Sequence, residues 1–307
     1  MTRHRLALAA LSTILAVTAC THHAAADEHA GHDAMPAATS PSASHDASQQ
    51  AAGLPAGSAD AQSRLAKSPR HSEWVLVKVG SDSVRAFIVY PQVSTKAPVV
   101  VVVHEIFGVT SWARGVADQL AADGFIAILP DLLTGKLAAN LDDSTLIAQG
   151  PALIRTLDPA DVQRKLDAVA QYAMSQPSAE KKYGIVGFCW GGGVSFAHAA
   201  HAGTSSAFGA SVVYYGVAPP ADQLPNVHAP VLGLYGGTDA RIALTVPGTD
   251  SAMKALGRTY DHTIFAGAAH GFLRAQTQTD GTIMQANLDA TRQAWPATIG
   301  WFRKYLK

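Results

Sequence analysis

The run Ala97–Val103, with the sequence APVVVVV, restricts the fold of this chain more than any other segment. It is apolar throughout and rich in β-branched residues, yet it is far too short to cross a bilayer. A strand that shows no alternation of polar and apolar residues must be covered on both of its faces. Such burial is typical of a strand inside a parallel sheet.

The rest of the chain repeats this theme by alternating short apolar strands with helical segments. A hairpin is predicted at 73–79 and 84–90, and further strands at 125–129, 183–186, 211–215, 230–235 and 262–265. Helices are predicted at 112–122, 158–174, 191–200, 247–256 and 284–305. Strands that alternate with helices form βαβ units, so we expect one α/β domain at 71–307 with a mostly parallel central sheet and helices on both faces.

The N-terminal residues 1–20 read as a signal peptide. Arg3 and Arg5 precede a short apolar run that ends at Cys20, in a context that resembles a bacterial lipobox. We therefore expect export, with Cys20 lipidated and the chain anchored to a membrane of the cell envelope by that lipid only. Cleavage after residues 24–26, giving a soluble periplasmic or secreted protein, and an uncleaved membrane anchor are the alternatives.

Residues 21–70 are dominated by small and polar residues and hold almost no large aliphatic side chains. Such a segment cannot bury enough apolar surface to offset its ordering entropy, so it is predicted to be a flexible tether. Its histidines suggest weak metal capture as an alternative to a plain solvated linker; they are His22, His23, His29, His32 and His45.

Charge and cysteine content exclude several classes of function. Lys plus Arg and Asp plus Glu both number 23, so no basic surface favours a nucleic-acid partner. The chain has two cysteines, Cys20 and Cys189. If Cys20 carries a lipid, Cys189 has no disulfide partner within the chain and is a candidate reactive thiol.

Cys189 is the central residue of Gly187-Phe188-Cys189-Trp190-Gly191, which lies between a predicted strand and a predicted helix. This is the nucleophile-elbow pattern with a cysteine at the position usually held by serine. The thiol would lie at a helix N-terminus, where the dipole favours a thiolate. The backbone N–H of Trp190 would point to a developing oxyanion. A buried structural cysteine is the alternative.

Two further residues follow the ends of later strands. Asp239 comes after the strand ending at 235, and His270 comes after the strand ending at 265. The order nucleophile, acid, base is that of α/β-hydrolases, so Cys189, Asp239 and His270 are predicted to form a catalytic triad. His198 and His201 are weaker candidates for the base, because they lie within the helix that follows Cys189.

The loop His104-Glu105-Ile106-Phe107-Gly108 follows the Val-rich strand. In an α/β-hydrolase this loop supplies the second oxyanion donor, here the N–H of Ile106. Glu105 would repel an oxyanion, so it fits better as a base or as an ionic partner of the thiol or of an arginine. A solvated loop glutamate is the alternative.

The segments HEIFG, GFCWGGG, GGTDARI and AHGF together resemble the dienelactone hydrolase (carboxymethylenebutenolidase) family over residues 74–307. The resemblance implies an α/β-hydrolase fold, a Cys-Asp-His triad, no metal and no cofactor. It implies that Glu105 helps to generate the thiolate when substrate arrives, and that Arg274 binds the substrate carboxylate and pairs with Glu105 at rest. A second substrate arginine is not fixed; Arg155 and Arg241 are the candidates.

The predicted activity is therefore opening of a lactone or activated ester, a small molecule bearing a carboxylate, through a thioester at Cys189. The alternatives are a broad carboxylesterase or thioesterase of the cell envelope, and a non-catalytic, lipid-tethered binding protein with a metal-capturing tether. The oligomeric state is left open.

Overall fold

The computed structural model describes residues 53–307 of the chain. The predicted signal peptide, the lipidation site Cys20 and residues 21–52 of the predicted tether lie outside the described residues. Within the described part, no helix is both long enough and apolar enough to cross a membrane.

One mixed sheet of eight strands forms the centre of the described domain, in the order β1-β2-β4-β3-β5-β6-β7-β8. The first two strands form the predicted antiparallel hairpin, β2 pairs with β4 antiparallel, and the other pairings are parallel. The strands are β1 Ser72–Val79, β2 Asp82–Val89, β3 Ala97–Val103, β4 Ile126–Pro130, β5 Ala179–Phe188, β6 Phe208–Tyr214, β7 Val231–Gly236 and β8 Tyr260–Phe265.

Helices cover both faces of this sheet, which confirms the predicted fold class. They are α1 Ala61–Ala66, α2 Ser111–Ala122, α3 Asp143–Ile154, α4 Pro159–Ser175, α5 Trp190–Ala202, α6 Ala240–Ala243, α7 Val246–Ala255 and α8 Gln285–Tyr305. The Val-rich strand β3 shows the reason for the fold. Val100 and Val102 join the core shared with α2 and α8, whereas Val99, Val101 and Val103 join the core shared with α4 and α5.

Helix α3 is absent from the sequence prediction, because Gly150 and Pro151 interrupt its helical pattern. The glycine has a packing reason. A Cβ added at Gly150 would lie 2.8 Å from the carbonyl oxygen of Ile106, so α3 lies directly against the loop that follows β3.

The folded domain begins earlier than predicted, because part of the predicted tether is packed on it. Leu54 and Ala61 are buried in the core, and α1 packs against α2. The N–H of Ser58 donates to the carbonyl oxygen of Arg274 at 2.9 Å, and the amide of Gln276 donates to the carbonyl oxygen of Pro55 at 3.1 Å. The tether boundary at residue 70 is therefore wrong for residues 54–66.

A chain that starts at residue 71 should be less stable than one that starts at residue 53. It loses the burial of Leu54, worth about 1.5–3 kcal/mol, together with the hydrogen bonds to residues 274–276. We expect its melting temperature to fall by roughly 4 °C or more. Thermal denaturation of the two truncated chains measures the difference, and equal melting temperatures would show that the segment contributes nothing.

Candidate active site

Cys189 lies at the sharp turn between β5 and α5, as the elbow pattern predicts. Its backbone has φ 57° and ψ −118°, a conformation that residues with a side chain rarely adopt. The Cys189 N–H donates to the carbonyl oxygen of Tyr214 at 3.1 Å, which ties the turn to strand β6. The thiol is free and partly exposed.

The glycines of the elbow allow backbone contacts that no side chain would permit. A Cβ at Gly187 would lie 1.8 Å from the carbonyl oxygen of Gly191, and a Cβ at Gly191 would lie 2.4 Å from that of His104. The start of α5 therefore packs directly on the loop after β3. This close approach brings the Trp190 backbone beside the segment that contains Glu105 and Ile106, the two predicted contributors from that loop.

Asp239 and His270 meet across the ends of β7 and β8. The Nδ1 atom of His270 lies 2.6 Å from Oδ2 of Asp239. The Asp239 side chain is 9% exposed and makes no capping bond to α6, although the residue precedes that helix. The His270 side chain is 34% exposed and lines the same cavity as Cys189. The carboxylate therefore orients the imidazole towards the cavity that holds the thiol.

The two weaker candidates for the base are engaged elsewhere. His198 is fully buried between Gln163 and Tyr183, at 2.7 and 2.9 Å. His201 pairs with Asp167 at 2.7 Å in the last turn of α5, at the opposite end of the helix from Cys189. Of His198, His201 and His270, only His270 lines the cavity.

Glu105 forms a buried ion pair with Arg274. The Glu105 residue is 3% exposed, and its Oε2 lies 2.7 Å from Nε of Arg274. The N–H direction is too oblique for a regular hydrogen bond, so the contact is mainly electrostatic. Burial raises the pKa of Glu105 to about 7, although the positive charge of Arg274 acts to lower it. A carboxyl group with this pKa can accept or release a proton near neutrality.

The thiol is less acidic than the helix N-terminus alone suggests. Burial raises the pKa of Cys189, and the negative charge of Glu105 raises it further. The Trp190 N–H, Arg241 and Arg274 act in the opposite direction without cancelling the rise. The helix N-terminus therefore does not by itself lower the pKa of the thiol, and a base such as the one that the family resemblance implies would be required to form the thiolate.

His104 holds the loop after β3 in place. Its ring is fully buried, and Nε2 accepts a hydrogen bond from the Leu132 N–H at 3.3 Å. Its Nδ1 therefore carries the proton and donates to the carbonyl oxygen of Glu105 at 2.7 Å. Burial lowers the pKa of His104, which keeps the ring neutral. The sequence pattern marked this histidine only as part of a loop.

Tyr215 is a site residue that the sequence analysis missed. It follows β6 with φ 41°, and its ring lies edge-on to that of His270 at 5.0 Å between centroids. Its hydroxyl is buried without a hydrogen-bond partner among the described residues. Burial and the nearby Glu105 raise the pKa of Tyr215 well above its ordinary value, so the hydroxyl stays protonated. The available signal was its position before Gly216 at a strand end.

The structure separates the two candidates for a second arginine. Arg241 lines the cavity beside Cys189 and affects the pKa of the thiol. Arg155 is exposed at the C-terminal end of α3 and does not line this cavity. In residues 53–307, no group of three or more His, Cys, Asp or Glu side chains has an arrangement suited to a metal ion.

The elbow on a mostly parallel sheet, with an acid and a histidine after later strands, defines the chain as an α/β-hydrolase. The sequence model of the Dienelactone hydrolase family matches residues 84–306. The chain therefore belongs to the dienelactone hydrolase family, and it is a hydrolase that acts on lactone or ester bonds.

Individual relatives agree with this assignment. A Salmonella typhimurium protein with the provisional name carboxymethylenebutenolidase is 30% identical over 273 residues, which cover 82% of this chain and 96% of the relative. A Methylorubrum extorquens protein with the same provisional name is 31% identical over 229 residues, covering 68% and 72%.

Solved structures show the same fold. A structure from Klebsiella pneumoniae, provisionally described as a dienelactone hydrolase, superposes with a TM-score of 0.64 at 29% identity, covering 77% of this chain and 99% of its own. The dienelactone hydrolase of Anabaena variabilis gives a TM-score of 0.57 at 22% identity, covering 78% and 99%.

The strained turn at Cys189 predicts a measurable stability difference. The free energy of unfolding of Cys189→Gly should exceed that of Cys189→Ala by about 1 kcal/mol, because glycine adopts positive φ without the clash of a Cβ. Urea denaturation of the two variants measures the gap, and their shared lack of the thiol makes each the control for the other. A more stable alanine variant would show that the turn is not strained.

Proposed function

We propose that this chain opens a lactone or activated ester that carries a carboxylate, through a covalent thioester at Cys189. The observation that carries the proposal is the buried pair of Glu105 and Arg274, whose charges both act on the thiol. A buried carboxyl with a pKa of about 7 is a suitable base for a thiol whose own pKa is raised.

The first step begins when the substrate carboxylate binds Arg274. Arg274 is 31% exposed, so a ligand can reach it, and its pairing with Glu105 then weakens. Loss of that pairing raises the pKa of Glu105 further, because the attraction of Arg274 is what lowers it. Glu105 then takes the proton of the Cys189 thiol, and the thiolate attacks the carbonyl carbon.

The oxyanion of the tetrahedral intermediate is held by the N–H groups of Trp190 and Ile106. The C–O bond of the lactone breaks as the intermediate collapses to the thioester, and the enolate that forms takes the proton held by Glu105. Water then attacks the thioester while His270, oriented by Asp239, takes a proton from it. The C–S bond breaks, the carboxylic acid is released, and His270 returns its proton to the Cys189 thiolate, which restores the resting enzyme.

The leaving group explains why a thiol suits this reaction. A thiolate is a strong nucleophile but also leaves readily from a tetrahedral intermediate. The alkoxide of an ordinary ester is a poorer leaving group than the thiolate. The tetrahedral intermediate would therefore expel the thiolate and revert to the ester. An enolate or another stabilised leaving group departs readily enough for the reaction to go forward.

Location in the cell envelope belongs to the same proposal and rests on the sequence Val17–Cys20 alone. Metabolic labelling with palmitate tests it. The wild-type chain should be labelled, and a Cys20→Ala chain that is labelled equally would contradict anchoring at that residue.

Glu105→Gln should make alkylation of the Cys189 thiol faster and turnover slower. Removal of the carboxylate lowers the pKa of Cys189, because Glu105 is what raises it electrostatically. Alkylation of the resting thiol by iodoacetamide near pH 7 should therefore become faster, by up to tenfold for each unit of pKa lost. Turnover of a carboxylate-bearing enol lactone should fall by roughly 10²–10⁴-fold, because the general base is gone.

Glu73→Gln is the matched control, since Glu73 is exposed on β1 and lies outside the cavity at Cys189. It should leave both rates unchanged. If Glu105→Gln slowed alkylation as well as turnover, or left turnover intact, Glu105 would not be the base for Cys189.

A further inference from the structure

The cavity at Cys189 extends beyond the triad into an apolar trough. The trough is bounded by the start of α4, one side of α5 and the loop after β6. Its apolar lining includes Leu157, Val162, Val194, Ala197, Val217 and Ile242. Ala197 follows Cys189 by eight positions, so at 1.5 Å per helical residue the trough extends about 12 Å along α5 from the nucleophile.

The polar groups that border the trough present no charge to its far part. The side-chain carbonyl oxygen of Gln163 accepts a hydrogen bond from Nδ1 of His198 at 2.7 Å. Burial lowers the pKa of His198 to about 3, so this histidine is uncharged at neutral pH. Cys189 and His270 mark the reactive end, and Arg241 is the cationic side chain among the described residues that line the cavity.

Val217 continues the apolar lining to the rim. It is 47% exposed, and its Cγ2 would lie 3.4 Å from a Cβ at Gly193, so the loop after β6 approaches α5 closely. A single exposed valine needs no explanation on most surfaces. Here it belongs to a continuous apolar wall that starts at the nucleophile, and such a wall gains free energy when a hydrocarbon group covers it.

Arg274 does not line this cavity. A carboxylate bound at Arg274 and a group in the trough would therefore occupy different places around the same thiol. The cavity has a volume of about 460 Å³. With a trough about 12 Å long, this leaves room for an arm of about eight carbons beside the reacting group.

We propose that the natural substrate carries an uncharged hydrocarbon arm, aliphatic or aromatic and up to about eight carbons long, which binds in the apolar trough while its ester or lactone carbonyl faces Cys189. This inference rests on the proposed function and narrows it from any carboxylate-bearing lactone to one with a lipophilic substituent.

The first test measures kcat/KM of the full chain for enol esters that carry a carboxylate on the enol part and a straight-chain acyl group of two to twelve carbons. Each added methylene should raise kcat/KM by about two- to fourfold until the chain reaches about eight carbons, and the rise should then stop. A flat or falling profile from two carbons onward, in an enzyme that hydrolyses the short esters, would overturn the trough while leaving the proposed function intact.

A second readout does not require turnover. N-alkylmaleimides of increasing chain length should alkylate Cys189 with rates that rise over the same range, as followed by mass spectrometry of the Cys189 peptide. If these rates rise but no ester or lactone is hydrolysed, the trough is supported and the proposed function fails. If the maleimide rates are independent of chain length, the trough is overturned.

Val217→Asp places a charge at the rim and should remove most of the dependence of both rates on chain length. Val93→Asp is the matched control, because Val93 is 49% exposed and does not line the cavity. Ala197→Phe should instead shorten the range, so that rates stop rising several carbons earlier. Identical profiles in Val217→Asp and wild type would contradict the assignment.

Discussion

The whole site depends on one backbone constraint, the bend at Cys189 between β5 and α5. A residue with a side chain is held at positive φ there, and the bend closes only because its flanking glycines let backbone meet backbone. Through the same contacts, the start of α5 packs against the loop after β3. The nucleophile and the loop that carries Glu105 are therefore positioned by a single packing event, and the cost of the strained turn is met by the surrounding sheet.

The electrostatics of the site follow from burial. Glu105 is almost fully buried in a pair with Arg274, and its pKa is raised because desolvation outweighs the attraction of the guanidinium. The same buried charge raises the pKa of the nearby thiol. The raised pKa favours the protonated thiol in the absence of a ligand, the form that reacts slowly with alkylating agents and oxidants. In the proposed mechanism, a carboxylate that engages Arg274 shifts this balance, so that substrate binding and activation of Cys189 are coupled.

Much of the fold was predictable because periodicity reports burial. The Val-rich strand β3, buried on both faces, required a covered parallel sheet, and Asp158-Pro159 marked the start of α4. Helix α3 escaped because Gly150 and Pro151 interrupt its helical pattern, and Gly150 serves the contact with the Ile106 loop rather than the helix. The packed segment 54–66 escaped because its composition resembles a linker, and contacts with residues distant along the chain, on α2 and at 274–276, order it.

The candidate site was likewise predictable only in part. Cys189, Asp239 and His270 were predictable because each follows a strand in a fixed order. The pairing of Asp239 with His270 was expected from that order, and the ion pair of Glu105 with Arg274 from the family resemblance, whereas the proximity of Arg241 to the thiol required the structure. Tyr215 and the direction of the Cys189 pKa shift were not accessible from the sequence, since both arise from burial among residues distant along the chain.

The most direct test of a Cys189 thioester is to trap it in a His270→Ala chain, in which attack by water is slowed. After acid quenching of a reaction with a carboxylate-bearing enol lactone, the Cys189 peptide should carry one acyl group, removable by neutral hydroxylamine, and Cys189→Ala should show none. Product release by His270→Ala at the wild-type rate without any adduct, or an adduct on another residue, would contradict the account.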